Sequence, residues 1–385
     1  MSEGPVRSRR SADDAPVADV HDQPEPRGDG AAVETVVVGE GRVAALLRAA
    51  LGGRGPENAP AEPNDLSAPW IEGARTLVVV APAGEFGVRV VKGGTRRTHL
   101  VEQAARVARV AARHGIEQVV AVTSATVHGA SADRPVIEDG DPVSPDAAGF
   151  VADLVAFEEA LVEELAAASV GSSPRPSDAD APEGSRPAGS AVRLAVLRPA
   201  MIVGPGVDTI LTRHFEAPRL LTVKGSDRPW QLLHTDDLAS AVRVVVDRGL
   251  SGTFTVGALT DGEPDVVTPA ELVERTGLAN VTLPAATAFG AAERLHRVGV
   301  LPSPASDLAY VVHPWTVTAR GLHAAGWEPA WSSARGVDVL MEGVRGRIAL
   351  GGRRVGGRDA AALGAAGAAV ALLGTAAIWR QARRR

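Results

Sequence analysis

The chain has no cysteine, which excludes disulfide frameworks, thiolate zinc sites, iron–sulfur clusters and cysteine nucleophiles. Its 385 residues include one tyrosine, Tyr310, and two lysines, Lys92 and Lys224. Chemistry that needs a phenol beside an ammonium group therefore has almost no material to draw on. Aromatic residues make up only 3% against 45% hydrophobic residues, so alanine, valine and leucine must fill most of any core. The nine histidines show no H-E-x-x-H or other paired-ligand spacing, and no metal site is expected. A net charge of −6 gives no general reason to expect nucleic-acid binding. That average hides an asymmetry: residues 341–385 carry nine arginines against Glu342 and Asp359, a net of +7, leaving −13 on the remainder.

What is present is a repeated strand-then-helix pattern on a chain of a length suited to a large α/β unit with attachments. Residues 1–32 are polar and proline-containing, without apolar periodicity, and read as a disordered tail. No apolar stretch follows the early arginines, which argues against a secretory signal and for a cytoplasmic location. Thr35–Val38, Thr76–Val80, Gln118–Val122 and Val192–Leu197 are short apolar runs with buried-strand character, and Gln231–Leu233 is a shorter one. Helical spacing of apolar residues predicts helices over Arg42–Leu51, Leu100–His114 and Phe150–Leu165, with Gly115 closing the second. Asp236 is expected to cap a further helix whose face is Leu238, Ala241, Val242, Val245 and Val246. Strands alternating with helices imply a parallel sheet covered on both faces. Residues 171–190 form a low-complexity insert that cannot pack.

The C-terminus reads separately. Ala360–Trp379 is free of charge over 20 residues, with arginines on both sides. As a helix it would be about 30 Å long, matching one bilayer core. Membrane contact is the reading that the flanking arginines favour, and a buried or interfacial alanine-rich helix is the alternative.

One turn carries a recognisable chemistry. Gly39-Glu40-Gly41-Arg42-Val43-Ala44 follows a strand, opens a helix, and fits the G-x-G-x-x-A form of the dinucleotide fingerprint. The first glycine permits the tight turn, the second lets backbone approach a pyrophosphate, and Ala44 allows close helix–sheet packing. Glu40 speaks for an ordinary βα turn, because it sets a negative charge beside the phosphate position.

Taken in order, the glycine loop, TLVVVAP at 76–82, GIEQVVAVTSATVHGA at 115–130, LAVLRPAMIVGPG at 194–206, QLLHTDDLASAV at 231–242, GTFTVG at 252–257 and GWEPAWS at 326–332 resemble the extended short-chain dehydrogenase/reductase family. Within it, the resemblance is to the NAD-dependent epimerase/dehydratase group, which typically acts on nucleotide sugars. It spans roughly residues 34–335. It implies a Rossmann-like doubly wound parallel sheet over residues 33–345, and a smaller substrate-type subdomain built from about 200–230 and 258–335. The basic-flanked hydrophobic helix would follow in 346–385.

The resemblance also assigns residues. Gly39, Gly41, Ala44 and Asp65 fall at cofactor positions for NAD or NADP, Asp65 at one that contacts adenine in relatives. Ser124 matches the serine that polarises the substrate, and Arg198 lies in the loop leading to the substrate subdomain, where it could meet a phosphate or an acidic neighbour. The family's Tyr-x-x-x-Lys pair is missing. Counting back from Glu158-Glu159, the tyrosine position holds Phe150 and the lysine position Leu154, and neither side chain exchanges a proton. Both belong to an apolar stripe with Phe157 and Leu161. His128 could replace the lost acid/base group, or could be a hydrogen-bonded loop histidine. Asp146 could act as a base, although Ser144-Pro145-Asp146 is also a helix-start signal, and Lys92 could reach an anion. The expectation is a family-fold protein impaired in catalysis, acting as sensor, scaffold or regulatory partner. The alternative is an oxidoreductase or epimerase using Ser124 and His128.

Overall fold

The computed structural model describes residues 35–54, 71–81, 84–85, 95–170, 191–217, 219–298, 304–345, 347–350 and 353–356. In chain order the first half contains β1 (Thr35–Val38), α1 (Gly41–Ala50), β2 (Thr76–Val80), α2 (Arg96–His114), β3 (Gln118–Val122), α3 (Gly149–Val170) and β4 (Arg193–Pro199). After these come β5 (Met201–Val203), β6 (Leu220–Val223), β7 (Leu232–His234), α4 (Thr235–Asp247) and β8 (Gly252–Val256). The remainder includes β9 (Leu259–Thr260), β10 (Glu263–Pro264), α5 (Pro269–Thr276), β11 (Asn280–Leu283), α6 (Ala285–Arg297), α7 (Ala309–Val312), α8 (Arg320–Ala324) and α9 (Ser333–Val344).

Five strands form an all-parallel sheet in the order β1-β2-β3-β4-β8. Alternation along each strand divides the core. Val37, Val78, Val80, Val120 and Val122 face α1 and α4, whereas Val36, Val38, Leu77, Val79, Val119 and Ala121 face α2 and α3. A sheet buried on both faces requires apolar residues at both parities, which is why β2 and β3 are apolar in the sequence almost throughout. The architecture is thus the Rossmann-like α/β fold expected from the sequence.

At the outer edge of β1 the only further pairing among the described residues is one bridge, Val36 to Arg54. In it Val37 N–H donates to the Arg54 carbonyl at 2.9 Å. Asp65 lies outside the described residues. So do the tail 1–32, the insert 171–190, Lys92 and the run 360–379. Among the described residues no helix is long and apolar enough to cross a membrane.

Helix starts depart from the sequence expectation where the first turn is polar. Helix α2 begins at Arg96 rather than Leu100, because Thr95 Oγ1 accepts the Thr98 N–H at 3.1 Å and so satisfies an otherwise orphaned donor. Gly115 closes this helix at φ 66°, as expected. Helix α3 runs on to Val170 through Ala166-Ala167-Ala168, which sustain a helix without needing a buried face. Asp236 is not the cap of α4. His234 takes that role, its Nδ1 accepting the Asp236 N–H at 3.2 Å, and Asp236 sits in the first turn. Ser144 starts no helix either; its Oγ accepts the Asp146 N–H at 3.3 Å in a local turn, and α3 begins at Gly149.

Beyond β4 the chain builds two small parallel pairs, β5 with β7 and β6 with β11. Asp237 fastens this region by accepting the Ala330 and Trp331 N–H groups at 2.8 and 3.0 Å. The aspartate of the H-T-D-D motif is therefore structural. Trp327, 1% exposed, fills the α4 side of the core and donates its Nε1–H to Ser240 Oγ at 2.9 Å.

Candidate functional site

The C-terminal edge of the parallel sheet gathers the β1–α1 turn, the residues after β2, the end of β3 and the loop after β4. Ligands of open α/β sheets sit at such an edge. Gly39 and Gly41 adopt φ of 143° and 92°, which L side chains rarely tolerate. A Cβ at Gly39 would lie 2.6 Å from the Val80 carbonyl oxygen, so only glycine lets β1 turn this close to β2. Ala44 is fully buried against the sheet. The fingerprint thus has the expected backbone form. Glu40 turns toward His99 on α2, with 3.9 Å between Oε1 and Nε2.

Glu85 holds the cradle of this turn. Its Oε1 accepts the Arg42 N–H at 2.6 Å and the Val43 N–H at 3.2 Å, two of the free donors at the start of α1. A Cβ on Gly41 would come within 2.3 Å of Glu85 Oε2, so the second glycine makes room for this carboxylate. Burial pushes the Glu85 carboxyl up from its usual range, opposed by those two backbone bonds. The cavity remaining beside it, bordered by Ser124, Thr209, Leu211 and Trp315, is about 20 Å³. That is room for little more than a water molecule. A dinucleotide pyrophosphate does not fit the cradle as it stands.

Ser124 follows β3 in extended conformation and is 6% exposed. Its Oγ accepts from Thr126 N–H at 3.3 Å and lies 3.0 Å from Thr126 Oγ1. Beyond it the sequence-derived candidates fall into a buried network. Arg198 donates from Nη2 to Glu158 Oε2 at 2.6 Å and from Nε at 3.2 Å, while Thr123 Oγ1 donates to Glu158 Oε1 at 2.6 Å. The other Arg198 nitrogen, Nη1, lies 3.2 Å from His128 Nε2, and His128 Nδ1 lies 3.1 Å from the Pro142 carbonyl oxygen. A guanidinium only donates and a carbonyl only accepts, so His128 is neutral with its proton on Nδ1. Of the two readings of Arg198, the acidic neighbour is the one realised. His128 is hydrogen-bonded, as one expectation held, but sits 1% exposed in a 3₁₀ turn.

Burial, with Arg198 adding, pushes the His128 pKa down to about 4, and burial pushes His214 down to about 3. Both are neutral when folded, whereas in the unfolded chain they protonate near 6.5. The unfolded state therefore binds more protons below that value. Their contribution to stability is whole above about pH 6.5 and is lost as pH falls toward 4, at up to about 1.4 kcal/mol per pH unit for each. Glu85 and Asp237, pushed up by burial, act in the opposite sense at more acid pH. Urea midpoints should fall from pH 7 to pH 5, and His214→Phe should remove part of that slope. A flat profile would contradict the neutral, buried assignment.

Phe150 and Leu154 are 4% and 0% exposed within the α3 stripe. The structure brings the sole tyrosine to the same place: the Tyr310 ring meets Phe150 edge-on at 5.9 Å. Burial and Asp307 push the Tyr310 pKa up to about 12, away from the lowered value an acid/base phenol needs. Nothing local in the sequence signals this contact, which joins α3 to α7 across 160 positions.

Sequence reasoning also missed a second cavity, of about 250 Å³, walled by β6, the 224–228 turn and Trp230. Arg228 forms part of its wall. The Arg228 guanidinium stacks 3.5 Å from the Trp230 ring centroid and 5.5 Å from that of Trp315, and it donates to the Val311 carbonyl. Among the described residues its Nε has no hydrogen-bond partner and no carboxylate pairs with it. Burial pushes its pKa well down. His214 stacks on the Trp230 ring at 5.9 Å, and its Nε2 is also without a partner among the described residues. The signal was Arg228-Pro229-Trp230, a cation beside an aromatic, but only folding places it in a cavity wall.

The parallel sheet and the turn at its edge define a Rossmann-like α/β protein. No family model matches the sequence. An uncharacterized protein of Mycobacterium tuberculosis (strain H37Rv) is 29% identical over 156 residues, and one of Mycobacterium bovis matches to the same extent. The match covers 40% of this chain and 39% of each relative, so the chain spans about two fifths of the curated relatives it matches. Among solved structures, human epimerase family protein SDR39U1 (isoform 2) with NADPH is similar at a TM-score of 0.55 and 15% identity, covering 80% of this chain and 99% of that one. MoeE5 in complex with UDP-glucose and NAD is similar at a TM-score of 0.52 and 15% identity, covering 81% and 98%. At these identities the likeness is one of fold.

Proposed function

We propose that this chain keeps the epimerase/dehydratase fold and a site for an anionic, nucleotide-sugar-like ligand, but does not move the proton that hydride transfer at such a sugar requires. It would then act as a sensor, scaffold or regulatory partner. The observation that carries this reading is the apolar pair Phe150 and Leu154, buried in one stripe, with the only tyrosine packed against it and pushed up to about 12. The alternative catalyst built on Ser124 and His128 lacks support in the geometry. His128 has its Nδ1 proton on Pro142 and its Nε2 against Arg198, and Ser124 has no base within the hydrogen bonds it makes.

The ligand part rests on Arg228. A buried guanidinium without a carboxylate, set in the wall of a 250 Å³ cavity with Lys224 nearby in the same wall, suits a phosphate-bearing ligand. Arg198, the sequence candidate for that task, is committed to Glu158. Membrane contact through 360–379 belongs to this proposal as a sequence expectation only. Calorimetric titration of the full chain with UDP-glucose should show binding. Arg228→Lys, which keeps the charge but loses the planar fork, should weaken it at least about tenfold, with circular dichroism establishing that the variant is folded. No binding to the wild-type chain would remove the ligand from the proposal.

A further inference from the structure

The misfit between the fingerprint and its occupant has a consequence for any dinucleotide. The start of a helix that follows G-x-G offers two resources to a pyrophosphate: free N–H donors and space for oxygen atoms above the second glycine. Here one side chain takes both. Glu85 Oε1 accepts from Arg42 and Val43, and Glu85 Oε2 occupies the position a Gly41 side chain would need. An anionic oxygen brought to the same donors would meet this carboxylate at contact distance, so the two cannot share the cradle.

Glu85 is also held from behind. The Ile210 N–H donates to the Gly84 carbonyl at 3.1 Å, and Glu85 forms an antiparallel bridge with Thr209. Thr209 is itself fixed, its N–H donating to Thr212 Oγ1 at 2.8 Å. Gly84 takes φ of 71°, and a Cβ there would press within 3.2 Å of Ile210. Two consecutive residues after β2 are thus pinned by backbone to the loop after β5, in the register that aims the 85 side chain at α1. The Arg42 side chain turns away toward the same loop, its Nε donating to the Pro205 carbonyl at 2.8 Å. It therefore offers no competing charge that would draw Glu85 off the helix.

We infer that Glu85 is an internal competitor of the cofactor: its carboxylate stands in for the pyrophosphate on α1, and NAD(H) or NADP(H) enters this cradle only by displacing it. The inference rests on the Rossmann reading of the fold and is independent of whether hydride transfer occurs. Because the competitor is tethered, the apparent affinity of a dinucleotide is reduced by the fraction of molecules in which the cradle is open.

Titration of the full chain with NADH and NADPH, followed by calorimetry, compares wild type with Glu85→Ala and Glu85→Gln. Glu85→Ala should bind at least about tenfold more tightly than wild type. Glu85→Gln, neutral but of the same size, should fall between them. Inorganic pyrophosphate should raise the melting temperature of Glu85→Ala by more than that of wild type, a readout that needs no catalysis. Far-ultraviolet circular dichroism establishes that each variant is folded, and Glu85→Gln serves if Glu85→Ala is not. Equal or weaker binding by the folded variants, or no binding by any of the three proteins, would overturn the inference. The functional proposal fails on turnover, this one on affinity alone.

Discussion

Glu158→Ala is expected to lower the free energy of unfolding by about 3–5 kcal/mol, the range for breaking a buried ion pair from one side. The Glu158 and Arg198 side chains are 8% and 10% exposed and bonded through two nitrogens, and Thr123 completes the carboxylate. Removing the glutamate leaves the guanidinium with His128 Nε2 as its remaining side-chain partner, and a neutral imidazole does not compensate a buried charge. Arg198→Met alone should be costly for the mirrored reason, since it strands the carboxylate. The double variant Glu158→Ala/Arg198→Met removes both charges together, and should recover a large part of either single loss. Urea unfolding of the four proteins measures the cycle. If Glu158→Ala costs less than about 1 kcal/mol, the pair behaves as a solvated one, and Arg198 is free to serve a ligand after all.

Leu154→Lys should be as disruptive. It places a lysine where the resemblance would have one, yet Leu154 is 0% exposed in the cluster that joins α2, α3 and the sheet. An ammonium group there must either be neutralised or drive the helix off the core. A fully buried lysine is shifted by up to about 3–5 pKa units, and at pH 7 the cost levels off at about 4–5 kcal/mol, the cost of neutralising a group whose ordinary pKa is about 10.4. Phe150→Tyr alone should fold, since it adds one hydroxyl to a ring that already meets Tyr310 edge-on. Combining the two should yield an unstable protein without turnover. A stable Phe150→Tyr/Leu154→Lys protein that transferred hydride would show that these two side chains alone decide whether the site can turn over.

Local pattern made much of this fold legible. Apolar runs at both parities marked the buried strands, glycine closed α2, and the stripe Phe150, Leu154, Phe157, Leu161 was readable because helical periodicity is a short-range property. The boundaries failed where a side chain far from the apolar pattern decides them. Thr95 starts α2 one turn early, and His234, rather than the more usual aspartate, caps α4. Contacts between distant segments were invisible for a different reason. Glu85 reaches a helix 43 positions earlier, Tyr310 reaches Phe150 across 160, and Arg228 gains its meaning from Trp315 and Val311. None of these leaves a period in the sequence, because the partners are set by how strands are ordered in the sheet. Glu40 was the acid that sequence placed beside the phosphate position, but the acid that fills the cradle is Glu85.

The proposal that this chain does not move the proton is tested most directly by turnover. Purified full-length protein and its Glu85→Ala variant, incubated with UDP-glucose and either oxidised or reduced nicotinamide cofactor, should give no change in nicotinamide absorbance and no epimerised or oxidised sugar above the uncatalysed background. Turnover that Ser124→Ala or His128→Gln abolishes would contradict this, and would make the chain an enzyme with a displaced acid–base group.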